Sequence, residues 1–418
     1  MEKVKLAIAG LGGRGASLFS MFSQVEDCEI VAVCDVYNDR VDSAIEKLSE
    51  LNITNVKGFT DYIEMFDTIH PDAVYICTSW ETHIDIAIAA MERGIRPGIE
   101  CGGANNVEQC WMLVHTYEKT KTPVMFLENC CYGRFEMSVL RLVKEGKFGE
   151  LVHAEGGYRH DLRDEVAQGR ENRHYRFLNY LNRCGELYPQ HPLGPIMKEF
   201  NINRGNRLVS LVSMASKACG INDWCRQNKG DDYDASHMKF AEGDVVTTMI
   251  KCSGGETITL THDTTLPRPY SRGNVLQGTK GIWCEPGWGL SNGLALEGVT
   301  EETHHYDNFG VLLDDPEIEH PLWTEFRKNG VKGGHDGMDW LVFNAFIHSV
   351  KNNIEPPIDV YDAALLMSIV PLTEMSIAQG SSLVAIPDFT CGKWIHREDA
   401  PKNKYSLDKI HYDLFPED

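Results

Sequence analysis

The chain has 418 residues, which is long enough for two domains with buried cores. Its 61 acidic and 40 basic residues give a formal charge of -21 at pH 7, and a surface of this sign repels nucleic-acid phosphates and anionic membranes. We therefore expect neither nucleic acid nor a membrane as a partner.

The first residues enter a strand directly, without the apolar stretch and small-residue cleavage site of a secretory leader. We find no apolar run of the length that a bilayer span requires. The thirteen cysteines form no Cys-x-x-Cys pair, and an odd number cannot all be bridged within one chain. These features predict a cytoplasmic protein with reduced thiols.

The first 130 residues alternate short apolar runs with helical patterns, which is typical of βαβ units around a parallel sheet. The predicted strands are residues 4–9, 29–34, 73–78, 97–100 and 124–127. The predicted helices are residues 16–23, 40–51, 84–93 and 107–119, with Thr82 and Asn105 or Asn106 as N-caps. We predict an α/β Rossmann dinucleotide-binding domain over residues 1–130.

Beyond residue 130 the pattern changes to longer strands with glycine-rich hairpins. Strands are predicted over 151–159, 207–215, 244–252, 256–263 and 273–283, and helices over 135–145, 337–351 and 361–378, the last ended by Gly380. Residues 291–334 lack periodicity and predict a loop. The pattern indicates an α+β domain with a largely antiparallel open sheet over residues 131–390, followed by a C-terminal tail over 391–418.

A glycine-rich turn, Gly10-Leu11-Gly12-Gly13-Arg14-Gly15, matches GxGxxG between the first predicted strand and helix. Glycines there permit a tight turn and let backbone amides approach a pyrophosphate. Asp35 ends the second strand, where its carboxylate would bind ribose hydroxyls. Because a carboxylate repels a 2′-phosphate, the pattern predicts NAD rather than NADP, a preference that Arg40 would soften if it turned inward. A glycine turn that serves only packing is the alternative.

The order of these signals, with His83 and Glu100 further along, resembles the Gfo/Idh/MocA oxidoreductase superfamily. Its members usually carry a lysine after that glutamate, and its dehydrogenases an aspartate four residues before a histidine. Here Cys101 and Leu187 stand at those places. Further segments resemble glycoside hydrolase family 109, the NAD-dependent α-N-acetylgalactosaminidase-like enzymes. They are residues 79–83, 127–129, 156–158, 188–191, 194–195, 201–205, 266–271 and 358–364.

The resemblance implies where the cofactor and the sugar bind. With the glycine turn, the expected NAD contacts are Gly10, Gly12, Gly13, Arg14, Gly15, Asp35, Trp80, Thr82, His83, Glu100, Cys101 and Asn129. The expected sugar contacts are Tyr158, Arg176, Tyr188, Gln190, His191 and Tyr270, to which we add Glu128. No metal site is predicted. The family usually differs at Tyr175, Asn179, Gln190 and Pro192, so the identity of the sugar stays open.

The resemblance also leads to a hypothesis for a hydrolase that needs NAD and acts on a small-molecule glycoside. Transient oxidation of the sugar at C3 acidifies the hydrogen at C2, and its removal gives an enolate that expels the aglycone from C1. Water addition and re-reduction complete the cycle without net redox change. Tyr188 and His191 are the candidate proton carriers, because an imidazole titrates near neutrality and a phenol can relay protons. Arg176 could hold the enolate.

Several alternatives stay open for individual residues and for the whole chain. His191 could cap the helix that follows it, Tyr158 could be a core aromatic, and Arg176 could lie on a solvated charged face. His83 could cap a helix rather than contact nicotinamide. An NAD-dependent sugar or polyol dehydrogenase would share the fold and accumulate NADH, and an idle NAD-binding sensor is a third interpretation. The resemblance also implies a homo-oligomer.

Overall fold

A computed structural model describes residues 3–285, 292–301, 304–398 and 400–415. The chain forms two compact units, each built from segments that are distant in sequence. The N-terminal unit comprises residues 1–133, 325–365 and 399–418, and the C-terminal unit comprises residues 134–324 and 366–398. The division drawn from the sequence kept residues 131–390 together, because a helical pattern does not show which sheet a late helix packs against.

The N-terminal unit contains a six-stranded sheet with helices between its strands. Its first elements in chain order are β1 (Val4–Ala9), α1 (Gly13–Ser17), α2 (Phe19–Phe22), β2 (Cys28–Cys34), α3 (Asn38–Glu50), β3 (Lys57–Phe59), α4 (Tyr62–Ile69), β4 (Ala73–Ile76), α5 (His83–Met91), β5 (Arg96–Ile99), α6 (Val107–Thr120) and β6 (Met125–Phe126). The strand order is β3-β2-β1-β4-β5-β6, and every pair is parallel. The predicted Rossmann fold is confirmed.

The centre of this sheet explains where a ligand can bind. Leu6, Ala7 and Ile8 of β1 have no exposed surface, as expected for a central parallel strand buried on both faces. β1 pairs with β2 on one side and β4 on the other, so the strand order reverses there. In doubly wound sheets, ligands bind outside the carboxyl ends of the strands at such a reversal. Gly10 and Asp35 follow β1 and β2 at this edge.

Helix caps account for two of the boundaries in this unit. Asn106 is the N-cap of α6, where its side chain accepts a hydrogen bond from Gln109 N at 2.9 Å, so one of the two predicted caps is confirmed. β3 and α4 were not predicted, because a three-residue strand and an eight-residue helix show little periodicity. A local signal was nonetheless present, since the Asp61 carboxylate caps α4 by accepting bonds from Ile63 N and Glu64 N.

The remaining elements begin with α7 (Arg134–Lys144), β7 (Leu151–Arg159), α8 (Arg163–Ala167), α9 (Arg176–Asn182), α10 (Gln190–Glu199), β8 (Leu208–Ala215), α11 (Gly220–Asn228), β9 (Val245–Cys252), β10 (Thr257–Asp263), β11 (Val275–Gly278) and β12 (Gly281–Cys284). They continue with β13 (Gly293–Leu296), β14 (Asp307–Asn308), α12 (Phe309–Leu312), α13 (Pro321–Lys328), α14 (Met338–Lys351), α15 (Val360–Ala378) and β15 (Val384–Ala385). α14 lies in the N-terminal unit.

The C-terminal unit contains a nine-stranded sheet in the order β14-β13-β12-β11-β7-β10-β9-β8-β15. β7 and β10 pair in parallel, and the other pairs are antiparallel. The prediction of a largely antiparallel sheet is therefore confirmed. Alternate residues of β10, Ile258, Leu260 and His262, have no exposed surface, so one face of this strand is buried.

The single strand predicted over residues 273–283 is wrong. It is a hairpin of β11 and β12, joined by a two-residue turn at Thr279 and Lys280. Gly278 and Gly281 pair across the turn, and Gly281 has a φ of 157°. The glycines permit the tight reversal, which an unbroken β-propensity pattern conceals.

The loop predicted over residues 291–334 is also wrong where the structure describes it. β13, β14, α12 and α13 lie in this stretch, and residues 291, 302 and 303 are outside the described residues. These elements have two to eight residues, too few for a clear period. One described helix, α15, is long and apolar enough to cross a membrane, contrary to the expectation from the sequence. Most of it is buried, and buried core helices meet the same criteria.

Candidate active site

The glycine turn follows β1 directly and leads into α1. Gly10 has a left-handed φ of 98°, and a Cβ there would lie 2.5 Å from the backbone of Cys77. A Cβ at Gly15 would overlap the Gly10 carbonyl oxygen, so close backbone approach requires both glycines. A Cβ at Gly13 would meet nothing within 4 Å, and one at Gly12 would meet only the Arg40 side chain. The middle of the turn therefore leaves open space for a ligand.

Asp35 lies directly after β2, and backbone amides fix its carboxylate. Oδ2 accepts a hydrogen bond from Leu11 N at 2.8 Å, and Oδ1 accepts one from Tyr37 N at 3.1 Å. Arg40 does turn inward, since its Nη1 lies 3.6 Å from Oδ2 of Asp35. The acid predicted to bind ribose hydroxyls is thus held beside the glycine turn, together with a cation that weakens its repulsion of a phosphate.

Three predicted cofactor residues share one hydrogen-bond network with Asp339, an acid that sequence reasoning missed. Nη1 and Nη2 of Arg14 donate to the Asp339 carboxylate at 2.8 and 2.9 Å, and Nε donates to Oε1 of Glu100 at 2.9 Å. Asn129 also donates to Asp339, at 2.8 Å. Burial alone would lower the pKa of Arg14, but Glu100, Tyr75 and Asp339 together outweigh this effect and raise that pKa. Asp339 lies in the first turn of α14, and no short motif indicates it.

The segment before α5 holds the next predicted contacts. Trp80 is buried against Gly102, where a Cβ would overlap the indole ring. Thr82 stands at the predicted N-cap position of α5, but its hydroxyl shares a 2.7 Å hydrogen bond with Thr78 instead of bonding to the helix. His83 is the first residue of α5, and its Nε2 lies 3.0 Å from the Thr78 carbonyl oxygen. Burial lowers the pKa of His83, so the ring is neutral.

Cys101 and Glu128 form a buried pair in the N-terminal unit. The Cys101 thiol donates to Oε2 of Glu128 at 2.9 Å, and Oε1 accepts a bond from Cys130 N at 2.9 Å. Burial, with the charge of Glu128, raises the pKa of Cys101 well above its usual range, so the thiol stays protonated. Glu128 has no exposed surface. Its contact with a sugar hydroxyl stays a prediction.

In the C-terminal unit, two phenols and an imidazole pack together. Tyr158 is in β7, Tyr188 precedes α10, and His191 is in the first turn of α10. The ring centroids of Tyr158 and Tyr188 are 4.6 Å apart, and the His191 ring stands edge-on to Tyr188 at 4.9 Å and 86°. α10 begins at Gln190 with Pro189 at the N-cap position, so His191 does not occupy the capping position. The structure thus brings together the predicted proton carriers.

Arg176 belongs to the same aromatic cluster. The side chain is buried, which excludes the solvated charged face considered as the alternative. Its guanidinium carbon lies 5.4 Å from the ring centroid of Tyr188 and 5.8 Å from that of Tyr158. Nη1 donates to Oε1 of Glu165 at 2.6 Å. Burial would lower the pKa of Arg176, but nearby acidic groups, with Tyr175 first and Glu165 among them, raise it well above its usual range.

The two remaining predicted sugar contacts lie in different surroundings. Gln190 has no exposed surface, and its Nε2 donates to the Leu366 carbonyl oxygen at 3.5 Å. Tyr270 is 47% exposed, and its ring stands edge-on to that of Tyr158 at 6.3 Å. Tyr270 is therefore accessible beside the aromatic cluster, whereas Gln190 is part of the packing beneath it.

His160 is a further member of the cluster that sequence reasoning missed. Its Nδ1 shares a 3.2 Å hydrogen bond with the Tyr158 hydroxyl, and its ring stands edge-on to Tyr270 at 5.2 Å. Burial, followed by the charge of Arg176, lowers the pKa of His160. Strand alternation offered a signal, because His160 directly follows β7, two residues after Tyr158, and alternate residues of an extended chain share a face.

Buried ionisable groups adjoin the cluster. Nδ1 of His262 lies 3.8 Å from Oε1 of Glu186, and Nε2 lies 3.8 Å from Oε1 of Glu242 and 3.2 Å from the Tyr180 hydroxyl. The His262 ring stacks with Tyr158 at 6.3 Å and 24°. Burial raises the pKa of Glu186 to about 8 and lowers that of His262 to about 3, so both are uncharged at neutral pH. Only the fold brings these residues together.

Comparisons with known proteins match a family to each of the two main parts of the chain. Residues 4–127 match the model for the oxidoreductase family with an NAD-binding Rossmann fold. Residues 132–396 match the model for the C-terminal domain of glycosyl hydrolase 109. The crystal structure of myo-inositol 2-dehydrogenase from Lactobacillus plantarum has a similar fold, with a TM-score of 0.65, 16% identity, and coverage of 92% of this chain and 100% of that one.

Two relatives are similar to this chain over nearly its whole length. The chain is 36% identical to an alpha-N-acetylgalactosaminidase from Tannerella forsythia, over 95% of this chain and 88% of the relative. It is 37% identical to a glycosyl hydrolase family 109 protein from Stenotrophomonas maltophilia, over 95% of this chain and 91% of the relative. The chain therefore belongs to glycosyl hydrolase family 109, whose members are hydrolases on an oxidoreductase-like fold.

Proposed function

We propose that this protein is an NAD-dependent glycosidase that cleaves its substrate through transient oxidation of the sugar at C3. The cluster of Tyr158, Tyr188, His191 and Arg176 is the observation that carries the proposal. Direct hydrolysis uses two carboxylates that flank the scissile bond. This cluster offers phenols, an imidazole and a guanidinium, whereas the nearby Glu165 is bound to Arg176 and the adjoining Glu186 is uncharged at neutral pH. Such groups suit proton transfer and enolate stabilisation.

The residues of the N-terminal unit fit NAD as the cofactor. A Cβ at Gly13 would stand in the open middle of the glycine turn, where a pyrophosphate would approach the backbone. Leu11 N and Tyr37 N hold the Asp35 carboxylate in one orientation, in which it could accept hydrogen bonds from ribose hydroxyls. When bound, NAD would supply the oxidation of the sugar at C3 and its re-reduction at the end of the cycle.

Tyr188 and His191 would carry the two proton transfers. One group has to accept the proton of the C3 hydroxyl during oxidation, and the other has to remove the C2 hydrogen that the neighbouring ketone acidifies. Because their rings are 4.9 Å apart, the two side chains can reach adjacent carbons of one sugar ring. Loss of the C2 proton then drives departure of the aglycone from C1, and water adds to the resulting double bond.

Arg176 would stabilise the negative charge that develops during C2 deprotonation. Its charge is assured because its pKa lies well above the usual range. The guanidinium also lies close to both phenol rings, so it favours negative charge on either phenol oxygen. In a buried site such a fixed cation acts more strongly than it would in water.

Tyr158 and His160 would orient the sugar and relay onward the proton that Tyr188 or His191 takes from the C3 hydroxyl. The imidazole of His160 is uncharged near neutral pH because burial lowers its pKa. Its Nδ1 can therefore accept a proton from the Tyr158 hydroxyl across the 3.2 Å hydrogen bond. The exposed Tyr270 beside them supplies an aromatic surface on which a sugar ring can pack.

An assay of purified protein with NAD tests the proposal. Nitrophenyl glycosides are offered as a panel that includes the α-N-acetylgalactosaminide, because the Tannerella forsythia relative bears that enzyme's name. We expect nitrophenol release without accumulation of reduced nicotinamide. The His191→Ala variant should lose most of the activity, whereas His237→Ala, at an exposed histidine, should keep it. Steady formation of NADH without cleavage would identify a dehydrogenase instead, and an active His191→Ala variant would contradict the site assignment.

A further inference from the structure

Asp339 gathers side chains from three distant parts of the N-terminal unit. Its Oδ2 accepts bonds from Nη1 of Arg14 and Nδ1 of His335, both at 2.8 Å. Its Oδ1 accepts bonds from Nη2 of Arg14 at 2.9 Å and Nδ2 of Asn129 at 2.8 Å. Arg14 and Asn129 were both assigned to the cofactor from the sequence, whereas Asp339 lies 210 residues beyond Asn129. A single carboxylate thus satisfies four donors.

The same network reaches the end of β5. Nε of Arg14 donates to Oε1 of Glu100, and the Tyr75 hydroxyl donates to the same oxygen. Arg14 therefore bridges two carboxylates, one at the carboxyl end of the parallel sheet and one on α14. Burial alone would raise the pKa of Asp339, but the hydrogen bonds from Arg14 and His335 hold it well below its usual range. Asp339 is consequently ionised at neutral pH.

The backbone before α14 is strained in a way that serves this arrangement. His335, Asp336 and Gly337 have φ values of 48°, 54° and 98°, so three successive residues are left-handed. Such conformations are unfavourable for residues with a Cβ and persist where the surroundings impose them. Here they aim the His335 imidazole at Asp339. A Cβ at Gly334 would lie 2.8 Å from Oδ2 of Asp339, so the backbone also approaches the carboxylate closely.

We propose that Asp339 is a positioning residue of the NAD site, which holds Arg14 and Asn129 in the geometry that the dinucleotide needs. This inference rests on NAD binding in the proposed function but not on the glycosidase chemistry. Without the carboxylate, the Arg14 side chain would keep only Glu100 as a partner, and Asn129 would lose its acceptor. Both would then sample several orientations, and the binding of NAD would have to restrict them.

Calorimetric titration of NAD into the nucleotide-free protein tests the inference directly. Asp339→Asn keeps the size of the side chain and removes its charge, and we expect the dissociation constant for NAD to rise by about tenfold. Asp336→Asn is the matched control, because it removes the same charge from an exposed residue three positions earlier, and asparagine tolerates the left-handed backbone. That variant should bind NAD as the wild type does.

A double-mutant cycle separates positioning from general stability. If Asp339 acts through Arg14 and Asn129, then adding Asp339→Asn to Arg14→Met should weaken NAD binding by clearly less than it does in the wild type, because only the Asn129 contact is left to lose. At saturating NAD, Asp339→Asn should keep a near-normal kcat while its KM for NAD rises. His335→Gln provides a second variant if Asp339→Asn does not fold, since the imidazole is largely exposed, and it should weaken NAD binding by about threefold.

The outcomes distinguish this inference from the proposed function. Unchanged NAD affinity in Asp339→Asn, or in His335→Gln if the former is unfolded, would overturn the positioning role. Additive losses in the double-mutant cycle would also overturn it. A wild-type protein that does not bind NAD would refute the cofactor assignment itself, and with it this inference. NAD binding without glycosidase activity would refute only the proposed reaction.

Discussion

Replacement of Arg176 by methionine tests the electrostatic role of the aromatic cluster. The guanidinium carbon is 5.4 Å from the Tyr188 ring centroid, and Coulomb's law at an effective dielectric constant of about 20 gives roughly 3 kcal/mol for unit charges at that distance. A transition state that loses this amount slows by about a hundredfold. We therefore expect kcat/KM of Arg176→Met to fall by about that factor.

The same substitution should cost less in stability than in activity. It removes the ion pair with Glu165, but the Glu165 side chain is 37% exposed and stays hydrated. We expect a loss of about 1 to 2 kcal/mol in the free energy of unfolding, measured by urea denaturation. The dissociation constant for NAD should stay unchanged, because the predicted NAD contacts belong to the other unit.

A matched control separates this effect from a general loss of positive charge. Arg170 precedes Arg176 in the same charged run, its side chain is 52% exposed, and its guanidinium carbon lies 4.8 Å from the ring centroid of Phe177. Arg170→Met should retain kcat/KM within about twofold of the wild type. A folded Arg176→Met protein with kcat/KM within threefold of the wild type would refute the electrostatic argument.

Four further predictions concern other parts of the structure. His160→Ala removes the partner of the Tyr158 hydroxyl and should lower kcat by about tenfold with little change in the NAD dissociation constant; an unchanged kcat would exclude the relay. Because burial raises the pKa of Glu186 to about 8, folding favours its neutral carboxyl group. This contribution to the free energy of unfolding is fully present below pH 4.5, the ordinary pKa of a glutamate, and is lost as the pH rises to about 8. Glu186→Gln should flatten this decline when stability is measured by urea denaturation across that pH range. Burial lowers the pKa of His262 to about 3, which has the opposite effect. Its contribution to the free energy of unfolding is present above pH 6.5, the ordinary pKa of a histidine, and is lost as the pH falls towards 3. His262→Gln should therefore flatten the loss of stability on the acid side. Gly13→Ala should fold normally and bind NAD poorly, whereas Gly15→Ala, whose Cβ would overlap the backbone, should lower the melting temperature; equal melting temperatures would contradict the packing argument.

The sequence predicts the larger elements of this fold well, because local periodicity records one-sided burial. The strands β1 and β2 of the Rossmann domain and the long strands β7 to β10 leave clear patterns over six or more residues. The hairpin of β11 and β12 and the elements β13, β14, α12 and α13 do not, since each has only two to eight residues. The return of α14 to the N-terminal unit leaves no local trace at all.

The candidate site, like the fold, could be predicted from the sequence only in part. Motif and resemblance located Tyr158, Tyr188 and His191, which the structure packs together. Contacts between distant segments could not be derived, so Asp339 and the buried Glu186 were missed. A buried carboxylate is unremarkable in a sequence, because only its partners in space decide whether it is charged.

Incorporation of solvent deuterium at C2 of the released sugar tests the central claim most directly. The reaction is run in D₂O with NAD, and the product is examined by NMR and mass spectrometry while the absorbance of reduced nicotinamide is followed. The proposed mechanism predicts deuterium at C2 of the product and no accumulation of NADH. Hydrolysis that leaves C2 fully protonated would contradict the mechanism, because cleavage would then have proceeded without removal of that hydrogen.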